Sequence, residues 1–304
     1  MVQMVEIKEL EALVSLVDEP NEDMFDVIRQ KIISYGKLAI PVLDDVWVNT
    51  MGDSDSKRIE SIIEDIRQGI LITDFNLWVS DPKSDIIDGL IIISKYFHPD
   101  FNEKYYITLF DKLCRDTWLE LNDNLTALEK IKVLNHVFYS VYNFTSDNKS
   151  TLYSDTYFLN RIFDHKIGSE MALGILYIAV AQKLNIPIYG VDLPGHFILA
   201  YLDSIENYRY GKEYSELDVM FYINASKDGT AFTRNEISHY ISQMKVEQSE
   251  KHFSPCANLV VYRRMLSELI DSLELENKTS KTVVLKKLLS EIHHTNNLPE
   301  SASI

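Results

Sequence analysis

The sequence is poor in cysteine, glycine and proline, and these shortages exclude several classes of protein. Its 304 residues include two cysteines, Cys114 and Cys256, too few for the disulfide framework of a small secreted domain. They also lack the close spacing of metal-ligand motifs. The 10 glycines and 8 prolines exclude collagen-like and low-complexity chains. We therefore predict a globular protein from a reducing compartment.

Basic residues are scarce as well. The chain has 30 Lys and Arg against 46 Asp and Glu, a formal net charge of −16, and such a surface repels nucleic acid and anionic membranes. No stretch approaches the roughly 18 apolar residues of a membrane span. Glu6, Lys8 and Glu9 lie where a secretory signal would need an apolar run. We expect a cytoplasmic protein that binds neither nucleic acid nor membranes.

The apolar residues that are present indicate helices in the first part of the chain. At about 150 residues per domain, the length predicts about two domains. From Ile7 to Leu121 the apolar residues recur at three- and four-residue spacing in short segments, a pattern typical of packed amphipathic helices. The segments resemble stacked repeat hairpins, although no fixed period recurs. We predict a helical, repeat-like domain over residues 1–120.

The pattern changes after the polar stretch Thr145–Asp155. Residues Glu170–Leu184 are almost all apolar, which predicts a helix buried on most sides. A buried helix followed by closely spaced antiparallel strands indicates an α+β core, predicted here over residues 121–250. Three short runs have strand character: Ile186–Val191, Phe197–Leu202 and Met220–Asn224.

The last part of the chain returns to helical spacing. Two segments, Asn258–Leu275 and Ser280–His293, carry this pattern and predict a C-terminal helical hairpin over residues 251–295. Residues 296–304 are expected to be a frayed tail. The fold class predicted from these patterns is α+β and mostly helical.

Three polar residues of the predicted core occupy positions that suit catalysis or binding. Glu170 begins the buried helix, His196 precedes the second strand, and Asn224 ends the third. A helix N-terminus carries partial positive charge and free N–H groups, so it lowers the pKa of a thiol there. A facing histidine acts as base, and a third group orients the imidazole.

Around these positions the sequence resembles a known family. The resemblance rests on the run from Tyr157 to Gly168, the helix after it, and above all the turn Pro194–Gly195–His196–Phe197. They are similar to the bacterial SirB-type transglutaminase-like family. The resemblance implies an N-terminal helical layer, a degenerate transglutaminase or papain-like core with a small antiparallel sheet, and a C-terminal hairpin similar to tetratricopeptide repeats.

The resemblance also implies that this chain lacks the catalytic chemistry of active transglutaminases. In active transglutaminases a cysteine lies two residues after a glycine at the helix start, and here Glu170 follows Gly168 in that place. A carboxylate cannot form a thioester. Asn224 replaces the orienting aspartate, a change that a Cys-His-Asn site tolerates. We therefore expect a non-catalytic binding or regulatory module with a protein partner, without cofactor or metal, and with Glu170, His196 and Asn224 as binding candidates.

Other interpretations stay open. One is a hydrolase or acyl-transferase that uses His196 with Glu170 or with Cys256. Another is a scaffold that binds its partner on the outer helices, away from His196. Tyr201, Tyr208 and Tyr210 lie between the second and third strands, near Arg209. Tyrosine and arginine are favoured at interface hot spots, so this segment is either a recognition surface or an exposed hairpin of strand-favouring residues.

Overall fold

The structure is a computed structural model, and it divides the chain into two compact units, Met1–Ser80 and Asp81–Ile304. The predicted domain limits at residues 120, 250 and 295 stay predictions. The predicted tail over 296–304 lies outside the described residues. No helix in the described part of the chain is long and apolar enough to span a membrane. The structure describes residues 2–49, 53–81, 84–147, 153–203 and 218–295.

The first unit is helical in its described part. It contains α1 (Val2–Val14), α2 (Glu22–Ser34), α3 (Ala39–Asn49) and α4 (Asp53–Ser80). Helix α2 begins after Asn21, whose side chain accepts a hydrogen bond from the Met24 N–H. The core joins residues from all four helices, among them Leu10, Phe25, Ile32, Leu43, Ile59 and Ile62. This agrees with the predicted N-terminal helical layer.

Helix α4 is longer than its sequence pattern first indicates. The strongest apolar spacing covers about Ser56 to Gln68, but the helix continues to Ser80. Leu71, Phe75 and Trp78 extend the three- and four-residue spacing and are all buried. The polar residues between them do not end the helix, because they occupy its solvent-facing side.

The second unit has a buried central helix. The helices of its first half are α5 (Ile86–Phe97), α6 (Glu103–Glu120), α7 (Ala127–Asn135), α8 (Leu159–His165) and α9 (Glu170–Lys183). A π-helical segment, His136–Val141, follows α7 directly. In α9 every residue from Met171 to Ala181 is buried. The prediction of a helix enclosed on most sides is thus confirmed.

Two sheets accompany these helices. Strands β1 (Thr145–Ser146) and β2 (Ile167–Gly168) form a short parallel pair. The larger sheet is antiparallel in the order β3-β4-β5-β6, and β3 and β4 both contact α9. Its strands are β3 (Ile188–Leu193), β4 (His196–Leu202), β5 (Val219–Asn224) and β6 (Thr230–Phe232). The mostly helical α+β class with a small antiparallel sheet is therefore correct.

The chain closes with α10 (Arg234–Gln243), α11 (Asn258–Leu275) and α12 (Thr279–Thr295). Helices α11 and α12 pack against each other as the predicted C-terminal pair. Helix α10 was not predicted, because only Ile237 and Ile241 mark a buried face in a mostly polar segment.

The N-terminus of α7 has a capping box whose contribution to stability can be measured. The Thr126 hydroxyl accepts from the Glu129 N–H, and the Glu129 carboxylate accepts from the Thr126 N–H at 2.8 Å. We expect Thr126→Ala to lower the free energy of unfolding by about 1 kcal/mol, because the Glu129 N–H loses its side-chain acceptor. Urea unfolding measures the change. The control Thr108→Ala, on an exposed helix face, is expected to change the free energy of unfolding by less than about 0.5 kcal/mol. Equal losses of stability in both variants would contradict the role of Thr126 as a helix cap.

Candidate functional site

Glu170 is held at the N-terminus of α9 by local sequence. Ser169 caps the helix, its side chain accepting from the Ala172 N–H at 3.1 Å, and its own N–H donates to the Thr156 carbonyl. Glu170 is therefore the first residue of the helix. A carboxylate at this position is stabilised by the positive end of the helix dipole.

His196 begins β4 after a tight turn. Leu193 and His196 pair across the two strands, which leaves Pro194 and Gly195 as the turn residues. Gly195 has φ of +76°, and proline followed by such a glycine suits a type II turn. The turn brings the His196 side chain to the end of the sheet, where it is 47% exposed.

The structure brings Glu170 and His196 together. The distance from His196 Nδ1 to Glu170 Oε2 is 3.5 Å, longer than the usual 2.7–3.2 Å of a good N–H···O bond. The Glu170 side chain is 26% exposed. The pair is thus a long contact between two partly exposed side chains.

Asn224 reaches the site through Ser226. The Asn224 Oδ1 atom accepts from the Ser226 N–H at 2.9 Å and lies 2.7 Å from Ser226 Oγ. Ser226 Oγ is also 3.1 Å from Glu170 Oε1. A serine hydroxyl has one proton, so Glu170 and Asn224 compete for it. The bond from the Ser226 N–H to the Asn224 side-chain oxygen fixes the Ser226 backbone, and the Ser226 hydroxyl is shared between Asn224 and Glu170.

Ser226 was missed by sequence reasoning, although a local signal existed. Asparagine side chains commonly bond to the backbone two residues later, in an Asx turn. That rule predicts the contact between Asn224 and the Ser226 N–H. It cannot predict the contact between Ser226 and Glu170, which lie 56 positions apart.

The turn that carries His196 is held by two side chains from other helices. Tyr240 donates to the Pro194 carbonyl at 3.3 Å, and its ring centroid lies 5.1 Å from that of His196. Arg264 donates to the Leu193 carbonyl at 2.8 Å. Contacts from α10 and α11 therefore set the position of the imidazole.

The groups around the site carry more negative than positive charge. Arg264 bonds Glu268 at 3.0 Å and Asp192 at 2.9 Å. Burial raises the pKa of the Glu268 carboxyl, Arg264 acts in the opposite direction, and Glu170 raises it further. Burial also raises the pKa of Tyr240, with Glu170 as the next cause. The Tyr240 hydroxyl consequently stays protonated as a donor.

Cys256 lies at a different place from His196. Its Sγ and its backbone N–H both contact the Gly190 carbonyl, at 3.2 and 2.8 Å. Gly190 pairs with Leu199 of β4 on its other side, so Cys256 is at the opposite edge of β3. Burial raises the pKa of the thiol to about 12. At neutral pH this cysteine is a protonated thiol that donates to a carbonyl.

The tyrosine segment is only partly described. Tyr201 is 4% exposed, and its ring stacks on Phe221 with centroids 5.0 Å apart. It is therefore part of the interior and presents little surface to a partner. Tyr208 and Tyr210 lie outside the described residues. In the described ranges, no group of at least three His, Cys, Asp or Glu side chains could hold a metal ion.

The family is established by comparison with known proteins. The model of the Transglutaminase-like superfamily matches residues 104–267, more than half of the chain, and this range includes Glu170, His196 and Asn224. The chain therefore belongs to the transglutaminase-like superfamily, and its similarity to proteins named SirB1 and UPF0162 supports the predicted SirB-type family. No solved structure matches it.

Three relatives illustrate the similarity. Protein SirB1 of Salmonella typhimurium is 26% identical over 124 residues, 41% of this chain and 46% of that protein. The UPF0162 protein PM0557 of Pasteurella multocida is 31% identical over 80 residues, 26% of this chain and 30% of the relative. A UPF0162 protein of Buchnera aphidicola subsp. Schizaphis graminum is 28% identical over 118 residues, 38% and 44% of the two chains. The alignments span less than half of these relatives.

Proposed function

We propose that this chain is a non-catalytic transglutaminase-like protein that binds another protein at the Glu170–His196 surface and acts in the cytoplasm. The observation that carries the proposal is the carboxylate of Glu170 at the helix start where an acyl-transferring member needs a thiol. A carboxylate in that position can accept hydrogen bonds and pair with charge, but it cannot form the thioester of a transglutaminase.

Two features support binding at this surface. His196 and Glu170 stay partly exposed, although contacts from three helices and a turn hold the backbone around them. Met244 is 48% exposed and its terminal methyl group approaches Gly195. The site therefore combines an apolar contact with hydrogen-bonding groups, a combination that suits protein interfaces.

A hydrolase is the second candidate, and one distance favours it. His196 Nδ1 and Glu170 Oε2 are 3.5 Å apart, and catalytic hydrogen bonds are often long in unliganded enzymes. In this alternative His196 is the base and Glu170 orients it. Peptidase or transamidase turnover that His196→Ala abolishes would favour the enzyme and contradict the binding module.

Site-specific photo-crosslinking tests the proposal. A benzophenone amino acid replaces Met244 beside the site, and a matched variant carries it at Leu275, which is 75% exposed at the end of α11. In the native host we expect one discrete adduct from position 244. The adduct should fall at least about tenfold with Glu170→Ala and with His196→Ala, because loss of an interface anchor costs about 1.4 kcal/mol or more.

The matched position separates the remaining interpretations. An adduct only from position 275, unchanged by Glu170→Ala, would replace the proposal with a scaffold that binds on its outer helices. An adduct from position 244 that neither Glu170→Ala nor His196→Ala affects would remove these residues from the interface. Either result would contradict the proposed function.

A further inference from the structure

The turn between β5 and β6 carries Ser226 to Glu170. It spans residues 225–229, and Asp228 and Gly229 both have positive φ, 51° and 66°. The Gly229 N–H donates to the Asn224 carbonyl at 3.0 Å. Ala225 and Gly229, at the two ends of the turn, are buried, whereas Lys227 and Asp228 are exposed. The conformation of the turn is therefore determined at its ends.

Both ends of this turn are bonded to the π-helical segment and the residue before it. The Tyr139 hydroxyl donates to the Ala225 carbonyl at 2.7 Å. The Asn135 amide donates to the Gly229 carbonyl at 2.9 Å. A methyl group on Gly229 would overlap the Asn135 side chain, so the two surfaces fit closely.

The Asn135 side chain is also bonded to α9, the helix that begins with Glu170. Tyr177 of α9 donates to the Asn135 Oδ1 atom at 2.8 Å, which fixes the orientation of that amide. Tyr177 is fully buried. Burial raises the pKa of Tyr139 and of Tyr177, so both hydroxyls keep their protons and remain donors. One helix thus carries Glu170 at its start and anchors the Ser226 turn along its length.

The π-helical geometry makes this arrangement possible. The Tyr142 N–H donates to the Val137 carbonyl at 2.9 Å, five residues earlier, as in a π-helix. Such a segment has a wider turn than an α-helix and shifts the following side chains around the axis. Segments of this kind are frequent at functional sites.

We propose that Asn135 and Tyr139 are positioning residues of the Glu170–His196 site, which they control by holding Ser226 against Glu170. The inference rests on the proposed binding function of that site. Each residue donates a hydrogen bond to a backbone carbonyl of the turn. They act through the backbone of the turn, which sets the Ser226 hydroxyl 3.1 Å from Glu170 and so the orientation of the carboxylate toward His196.

Tyr139→Phe tests the proposal, and Tyr142→Phe is its matched control. Tyr142 follows the π-helical segment directly and donates to the Asp116 carboxylate at 2.8 Å, so the control removes a tyrosine hydroxyl bond that does not involve the Ser226 turn. The readout is the change that Glu170→Gln causes in the ring carbon–hydrogen NMR signal of His196, measured on the full chain in each background. His196→Gln assigns the signal.

We expect Tyr139→Phe to reduce the Glu170-dependent change at His196 to less than about half of its wild-type size, because double-mutant coupling is lost when the contact between the two groups is lost. Tyr142→Phe should leave that change intact. An undiminished change with Tyr139→Phe would mean that Tyr139 only supports stability, and the proposal would be wrong.

A second variant keeps the test decisive if Tyr139→Phe does not fold. The pair Asn135→Leu and Tyr177→Phe removes both side-chain partners of the Tyr177–Asn135 bond together, so that of the groups in these two bonds only the Gly229 carbonyl is left without its donor. It should reduce the His196 change in the same way, and an undiminished change would overturn the proposal. The NMR readout needs no partner, whereas the crosslinking experiment needs one. Failure of the positioning role is therefore distinguishable from failure of the proposed function.

Discussion

Replacing Glu170 with cysteine is expected to give a thiol that reacts with iodoacetamide at least about 100-fold faster at pH 7 than the native cysteines of the folded protein, because their much smaller thiolate fraction outweighs the higher nucleophilicity of each thiolate. Burial raises the pKa of Cys114 and of Cys256 to about 12, which leaves roughly one thiolate in 10⁵ at pH 7. An exposed thiol with pKa near 8.5 has about three in 100. A thiol at position 170 would also lie at a helix N-terminus and near His196, and both favour the thiolate.

A second introduced cysteine isolates the effect of the position. Lys227→Cys puts a thiol on an exposed turn near the site without a helix start or histidine contact. We expect the Glu170→Cys thiol to react about 3- to 10-fold faster than this control, since a lower pKa raises the thiolate fraction but reduces its nucleophilicity. Peptide mass spectrometry gives both rates. Equal rates would mean that the fold no longer activates a thiol at position 170.

Gly89→Ala is expected to lower the free energy of unfolding by about 2 kcal/mol or more, through overpacking of the core. Gly89 lies in α5, where an added methyl group would enter the ring of Tyr262. Tyr262 is fully buried and donates to the Gly89 carbonyl at 2.6 Å. The ring cannot move without losing that bond, worth about 0.5–1.5 kcal/mol. The helix propensity of alanine, about 1 kcal/mol better than glycine, offsets part of the loss.

Gly69→Ala is the matched control, because it makes the same change in an exposed part of α4. Nothing lies within 4 Å of the added methyl group there, so helix propensity should dominate and stabilise by about 0.5–1 kcal/mol. Thermal unfolding followed by circular dichroism should show a midpoint about 4–8 °C lower for Gly89→Ala. A midpoint that rises in both variants would show that the α5–Tyr262 contact is less tightly packed than described.

Local sequence predicted much of the fold because the relevant forces act over short distances. The apolar run that forms α9 and the short apolar strands after it are visible without any tertiary information. The Pro194–Gly195 pair likewise predicts a turn at the place where His196 enters β4. Helix α10 was not predicted because its buried face consists of Ile237 and Ile241. Two isoleucines in a polar segment indicate a buried helix face only once the sheet is known to pack on them.

The sequence by itself determined that Glu170 occupies the helix-start position and that no thiol lies there, since the residue and the cap Ser169 are both local. Only the tertiary structure decided what surrounds that carboxylate. Ser226 meets Glu170, and Cys256 turns to Gly190, through contacts between residues far apart in the chain. Such contacts depend on how the helices and the sheet pack, and the residue pattern of a single strand or helix does not predict that packing.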